Sequence, residues 1–165
     1  MQNTKLFTVK ILVLAIGKTD EQWVQEALLK YRKRLQHYIP FEFEVIPDLK
    51  NTKNLSDAQQ KEKEGALILK KLNPTDEVFL LDEKGKEYRS VEFAKYLQQQ
   101  MNSRVKRLVF IIGGPYGFSL ELHAKTRGKL ALSKMTFSHQ MIRPFFLEQL
   151  YRAMTILRNE PYHHE

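Results

Sequence analysis

Short apolar runs alternate with longer amphipathic segments along this chain, and that alternation limits its fold more than any other feature. The runs are Lys10–Ile16 (KILVLAI), Phe41–Ile46 (FEFEVI), Glu77–Asp82 (EVFLLD) and Arg107–Ile112 (RLVFII), with a shorter one at Lys129–Leu132. They are rich in β-branched residues and have strand length. Phe41–Ile46 alternates apolar and acidic residues, the period of a strand with one wet face. Strands separated by helices lie parallel, because the crossover carries the chain back to the same edge. The expected fold class is α/β, a mostly parallel sheet with helices on both faces. At 165 residues the chain can build one sizeable core, and no repeat or linker marks a second domain.

The segments between the strands carry start and stop signals. A helix is expected from about Glu21 to His37, with Val24, Leu28, Tyr31, Leu35 and Tyr38 on one face and Lys30, Arg32, Lys33 and Arg34 on the other; Pro40 ends it. Ser56 with Gln59 forms a capping-box pattern for a helix to about Leu72. Lys84-Gly85-Lys86 reads as a turn, and Ser90 can cap a helix to about Met101. Ser119 can cap a short helix, and a long one carries Ile142, Phe146, Leu150, Ala153 and Leu157 at helical spacing. Residues 1–9 read as an N-terminal extension.

There is no cysteine, so disulfides and thiolate metal sites are excluded. The apolar start is too short to span a bilayer and lacks a small-residue cleavage site, so no membrane and a cytoplasmic location are expected. The net charge of +8 favours phosphate-bearing partners, although many basic proteins bind no nucleic acid. No cluster has metal-ligand spacing, and no metal is expected.

Open α/β sheets bind ligands beyond the carboxyl ends of their strands. Three such ends stand out here: Leu81-Asp82, Gly113-Gly114 and Leu132-Ser133. The loop Gly113-Gly114-Pro115-Tyr116-Gly117 would let backbone approach a ligand closely, or serve only as a turn; it matches neither GxGxxG nor a P-loop. His139 can be structural or part of a site. Arg143 and Arg152 can be solvated, or can hold phosphates or a base. Tyr151 and Tyr162 can pack in the core or stack on an unpaired base. Glu148 and Arg152 have the i,i+4 spacing of a helix ion pair.

Four ordered pieces, IGGPYG (Ile112–Gly117), LSKMTFSHQ (Leu132–Gln140), LEQLYRA (Leu147–Ala153) and NEPYHHE (Asn159–Glu165), resemble the RlmH family of large-subunit rRNA (pseudouridine-N3) methyltransferases of the SPOUT superfamily. The likeness runs from about Lys10 to the end. It implies a C-terminal trefoil knot, a homodimer, and methylation of N3 of a pseudouridine in a hairpin of 23S rRNA, presented by the assembled ribosome. It also implies S-adenosyl-L-methionine bound at Leu81, Gly113, Leu132, Ser133, Lys134, Met135, Thr136 and Phe137. The family's tail lies near the cofactor and is expected to complete the site from one subunit or its partner. His139, Arg143, Tyr162 and His163 are therefore the candidate catalytic, substrate-side residues. Where this chain has Pro144 and Ser138, family members more often have an aliphatic residue and a proline, so a kink or a later helix start is expected. The alternative is a non-catalytic RNA- or ribosome-binding protein that uses the basic first helix.

Overall fold

The computed structural model describes residues 9–165. Five parallel strands form one sheet in the order β2-β1-β4-β3-β5. They are β1 (Lys10–Ile16), β2 (Phe41–Ile46), β3 (Glu77–Glu87), β4 (Arg107–Ile112) and β5 (Gly128–Ala131). The helices are α1 (Gln22–Gln36), α2 (Asp57–Leu69), α3 (Ser90–Asn102), α4 (Leu120–Ala124) and α5 (Ile142–Leu157).

Alternate residues of the central strands feed two cores, as the pleat requires. Ile11, Val13, Leu108 and Phe110 pack with Leu28 of α1, Leu97 of α3 and Phe146 of α5. Leu12, Leu14, Val109 and Ile111 face the other way, toward Ile68 of α2 and Leu122 of α4. The sheet is thus a middle layer with helices on both faces, as the alternation implied. The capping box at Ser56 and Gln59 is formed, with Gln59 N donating to Ser56 Oγ at 3.1 Å and Ser56 N to Gln59 Oε1 at 2.9 Å.

Two local expectations are corrected. Lys84-Gly85-Lys86 is not a turn between elements but part of β3, which bulges and pairs twice with β5: Leu81 and Lys86 both lie opposite Leu130. A Cβ at Gly85 would stand 2.7 Å from Leu130 N, so glycine is what allows this close approach. Val9 is buried and belongs to the core, so it is not part of the extension; residues 1–8 lie outside the described residues. The later helix start expected at Pro144 is observed: α5 begins at Ile142, which places the proline in its first turn, where a backbone N–H has no helical partner.

Candidate functional site

In the parallel register Leu81 of β3 lies opposite both Ile112 of β4 and Leu130 of β5. Because β3 sits between the other two strands, the three loops leaving these carboxyl ends are neighbours. They enclose a cavity of about 570 Å³. Leu81, Gly113, Leu132, Ser133, Met135, Thr136 and Phe137 line it, together with His139. Lys134 is exposed, and its neighbours Ser133 and Met135 line the wall instead.

Each loop has a local reason for its shape. A Cβ at Gly113 would come within 2.8 Å of Phe118 Cε1, so the glycine lets the ring of Phe118 lie against the backbone. Gly117 closes the turn with φ +83°, and its N–H donates to Gly114 O at 3.3 Å. Ser133 Oγ accepts from Met135 N at 3.0 Å, and the Thr136 hydroxyl bonds the Glu83 carboxylate across the cavity mouth. Asp82, Glu83, Lys84, Tyr116 and Ile142 also line the space. The sequence marked Asp82 and Tyr116 only as parts of the strand end and glycine loop that they belong to, and gave no site signal at Glu83, Lys84 or Ile142. The walls combine apolar side chains, free backbone and a few polar groups, the usual make-up of a small-molecule site.

Arg143 corrects its expected role. It is fully buried. Its guanidinium donates to Ile16 O at 2.8 Å, to Thr19 Oγ1 at 3.0 Å and to His139 O at 2.8 Å. Burial lowers its pKa, against the nearby carboxylates of Asp48 and Asp20. The side chain faces neither solvent nor the cavity; it ties the carboxyl end of β1 to the loop that carries His139. Gln140 makes a second tie, accepting from Asp20 N at 3.1 Å and donating to Lys18 O at 3.0 Å.

Tyr162 and His163 lie elsewhere. The tail folds back on α5, where Tyr162 Oη donates to Glu148 Oε1 at 3.0 Å and His163 Nδ1 lies 3.3 Å from Arg152 Nη1. Arg152 also pairs with Glu148 at 2.6 Å, the expected i,i+4 contact. Tyr151 and Tyr162 pack edge to face with ring centroids 4.7 Å apart, and Arg152 lies over the Tyr162 ring. Burial, then the neighbouring Tyr31 hydroxyl and the hydrogen bond to Glu148, push the Tyr162 phenol upward, so it stays protonated. Within one chain, then, the candidates form two groups: His139 at the cavity and Tyr162–His163 at the tail.

Glu64 of α2 carried no signal in the sequence. It is 4 % exposed, and its Oε2 is the one buried side-chain atom without a hydrogen-bond partner among the described residues. A Cβ on Gly114 would stand 2.6 Å from that oxygen, so the carboxyl group presses on the glycine loop. Burial raises its pKa, opposed by the hydrogen bond from Gln60. A raised carboxyl pKa means that the folded state holds the proton more tightly. Its penalty is therefore absent below the unfolded pKa and grows as pH rises through the folded one. Glu64→Gln should raise the thermal midpoint at pH 8 by a few degrees, as expected for about 1 kcal/mol, with the gain vanishing near pH 4. Thermal melts across that range check it; a gain independent of pH would contradict it.

Comparison with known proteins decides the family. The family model described as "Predicted SPOUT methyltransferase" matches residues 9–163. The chain belongs to the SPOUT methyltransferase family. It is similar to the ribosomal RNA large subunit methyltransferase H of Parabacteroides distasonis, 63 % identical over 95 % of this chain and all of the relative. The proteins of the same name from Flavobacterium johnsoniae and Bacteroides thetaiotaomicron are 61 % and 58 % identical over the same shares. A SPOUT methyltransferase requires a methyl-donor cofactor. The three-loop cavity fits one: Gly113 leaves backbone open to a ligand, and Leu81, Leu132 and Phe137 give apolar walls. Membership favours the catalytic reading over the non-catalytic binding protein. Among the described residues no group of His, Asp or Glu side chains could hold a metal, and no helix is long and apolar enough to cross a membrane.

Proposed function

We propose that this chain transfers the methyl group of S-adenosyl-L-methionine to N3 of a pseudouridine in 23S rRNA, on assembled ribosomes in the cytoplasm. The convergence of three loops on one cavity, in a chain so similar to ribosomal RNA large subunit methyltransferases, carries the reading. The bound sulfonium supplies an already activated methyl group. Leu81, Gly113, Leu132, Ser133, Met135, Thr136 and Phe137 bind and orient that donor by their walls and backbone. Transfer forms an N3–CH3 bond and releases the N3 proton. His139, exposed at the cavity, or a water beside it takes that proton.

The working unit is a homodimer. The exposed edge of α5 runs from Met141 and Phe145 at the cavity end to Glu148 and Arg152 at the tail. Those ends are separated by eleven residues, or about 16 Å of helix. A second copy laid antiparallel along this edge would bring its Tyr162 and His163 to the first copy's cavity and cover Phe145, which is 47 % exposed. The trefoil knot belongs to the same reading. After edge strand β5 the chain crosses the carboxyl ends of β3 and β4 and is tied to the end of β1 through Gln140 and Arg143.

His163→Ala tests the shared site. Donor affinity by calorimetry should stay within about twofold while methyl transfer to ribosomes falls at least roughly tenfold, the scale of a lost proton-handling or positioning group. Mixing it with a His139→Ala chain should restore part of the activity, because one of the two hybrid sites keeps both histidines. Full activity of His163→Ala removes the tail from the site. If the wild-type chain takes up no S-adenosyl-L-methionine, the methyltransferase reading itself fails.

A further inference from the structure

A second cavity, of about 330 Å³, opens beside β5 and away from the donor loops. Phe79, Tyr88 and Tyr96 form its aromatic wall, and Lys86, Arg127 and Lys129 its rim. Tyr88 and Tyr96 are stacked with centroids 5.3 Å apart, and Phe79 meets Tyr96 edge to face at 5.7 Å. Lys86 Nζ stands 4.8 Å from the centre of the Tyr88 ring.

The charges are one-sided. No carboxylate lines the cavity. Glu77 reaches Arg127, and Asp82 reaches Lys129, only at 3.8 Å each, while Lys86 has no ion-pair partner among the described residues. Such exposed pairs are weak and easily exchanged for another anion. Burial pushes the Tyr96 phenol up to about 12, so it remains a neutral donor over the working pH range. An aromatic wall with a cationic rim fits the π-face of a base together with its phosphate.

The cavity's position adds a second argument. A small space of about 70 Å³ adjoins it, sharing Tyr88 and Leu130, and in turn shares Leu130, Ala131 and Leu132 with the donor cavity. β5 therefore underlies all three. Gly128 to Leu132 spans about 13 Å at the rise of a strand, within reach of a few extended nucleotides.

We propose that the cavity between β5 and α3 receives an unpaired nucleotide of the RNA substrate, a few positions along the strand from the base that is methylated. This rests on the reading of the chain as an rRNA methyltransferase. Base stacking on Tyr88 or Tyr96 holds the nucleotide, and Lys86 and Arg127 hold its phosphates. The contact supplies grip on the RNA strand beyond the base that is methylated.

The test is the double variant Lys86→Met, Arg127→Met, which keeps the aliphatic stems and removes both charges. Binding of a short labelled oligouridylate should weaken by about tenfold, with the log–log salt slope shallower by roughly 1.4 for two lost phosphate contacts. KM for ribosomes should rise about tenfold while kcat and donor affinity stay within about twofold, because the grip lies outside the chemistry. A thermal midpoint equal to that of the wild type excludes unfolding; if it falls, Lys86→Gln alone, an exposed change, takes its place with about half the slope change. Unchanged KM and oligouridylate affinity overturn the proposal. So does a raised KM with unchanged oligouridylate affinity, which would assign the surface to a ribosomal protein. If the wild type binds no methyl donor, the functional reading fails, and the oligouridylate titration still decides this one.

Discussion

Arg143→Met should lower stability by about 3 kcal/mol or more and weaken donor binding at the same time. The guanidinium donates to two backbone carbonyls, Ile16 O and His139 O, and to Thr19 Oγ1, all within 3.0 Å. A methionine of similar length fills the volume but leaves the buried Ile16 carbonyl unsatisfied, at about 1–3 kcal/mol, and also loses the bonds to the part-buried His139 carbonyl and Thr19 hydroxyl, at about 1 kcal/mol each. For a chain of this size that is a fall of roughly 6–12 °C in thermal midpoint. The loop from Leu132 to His139 would lose its tie to β1, so donor affinity should drop with stability. Arg143→Lys should recover only part of both, because an ammonium lacks the planar fork that spans three acceptors. Scanning calorimetry and donor titration read the two effects. A variant that melts like the wild type yet has lost methyl transfer would return Arg143 to the substrate side, where the sequence had suggested it.

Gly113→Trp should reduce affinity for S-adenosyl-L-methionine by at least about a hundredfold, because an indole at this position meets the Phe118 ring and crowds that ring, itself part of the cavity wall, into the space that the three loops leave open. Gly113 has no positive φ, so the effect comes from volume and not from backbone strain. Gly113→Ala is the graded control. Its Cβ would meet the Phe118 ring at 2.8 Å, and that ring must shift, so a loss of about tenfold is expected with the fold intact. Calorimetric titration of both variants measures it. Wild-type affinity in Gly113→Trp would show that the donor binds elsewhere.

Much of the architecture was legible before any coordinates. β1, β2 and β4 begin and end where their apolar runs do, and the Ser56–Gln59 cap forms as its spacing requires. Strand length, helix period and capping are properties of windows of about ten residues, so local sequence carries them. The error at Lys84-Gly85-Lys86 has the same origin. Those residues have turn chemistry, and only pairing with β5 holds them in a strand. The candidate site was legible in part. The loops after β3, β4 and β5 were recognisable from their glycines and polar residues together with the family resemblance. The role of Arg143 was not, because an arginine in the first turn of a helix looks the same in sequence whether it ends in water or under a strand.

The run of residues determined the elements, their parallel sense, the basic balance and the SPOUT family, because each depends on spacing along the chain. Tertiary structure alone decided that β3 stands between β4 and β5, that Arg143 reaches Ile16, that Glu64 presses on Gly114, and that the tail lies apart from the donor cavity. These contacts join residues far apart in sequence. Which of them meet depends on the order of strands in the sheet, and no local period encodes that order.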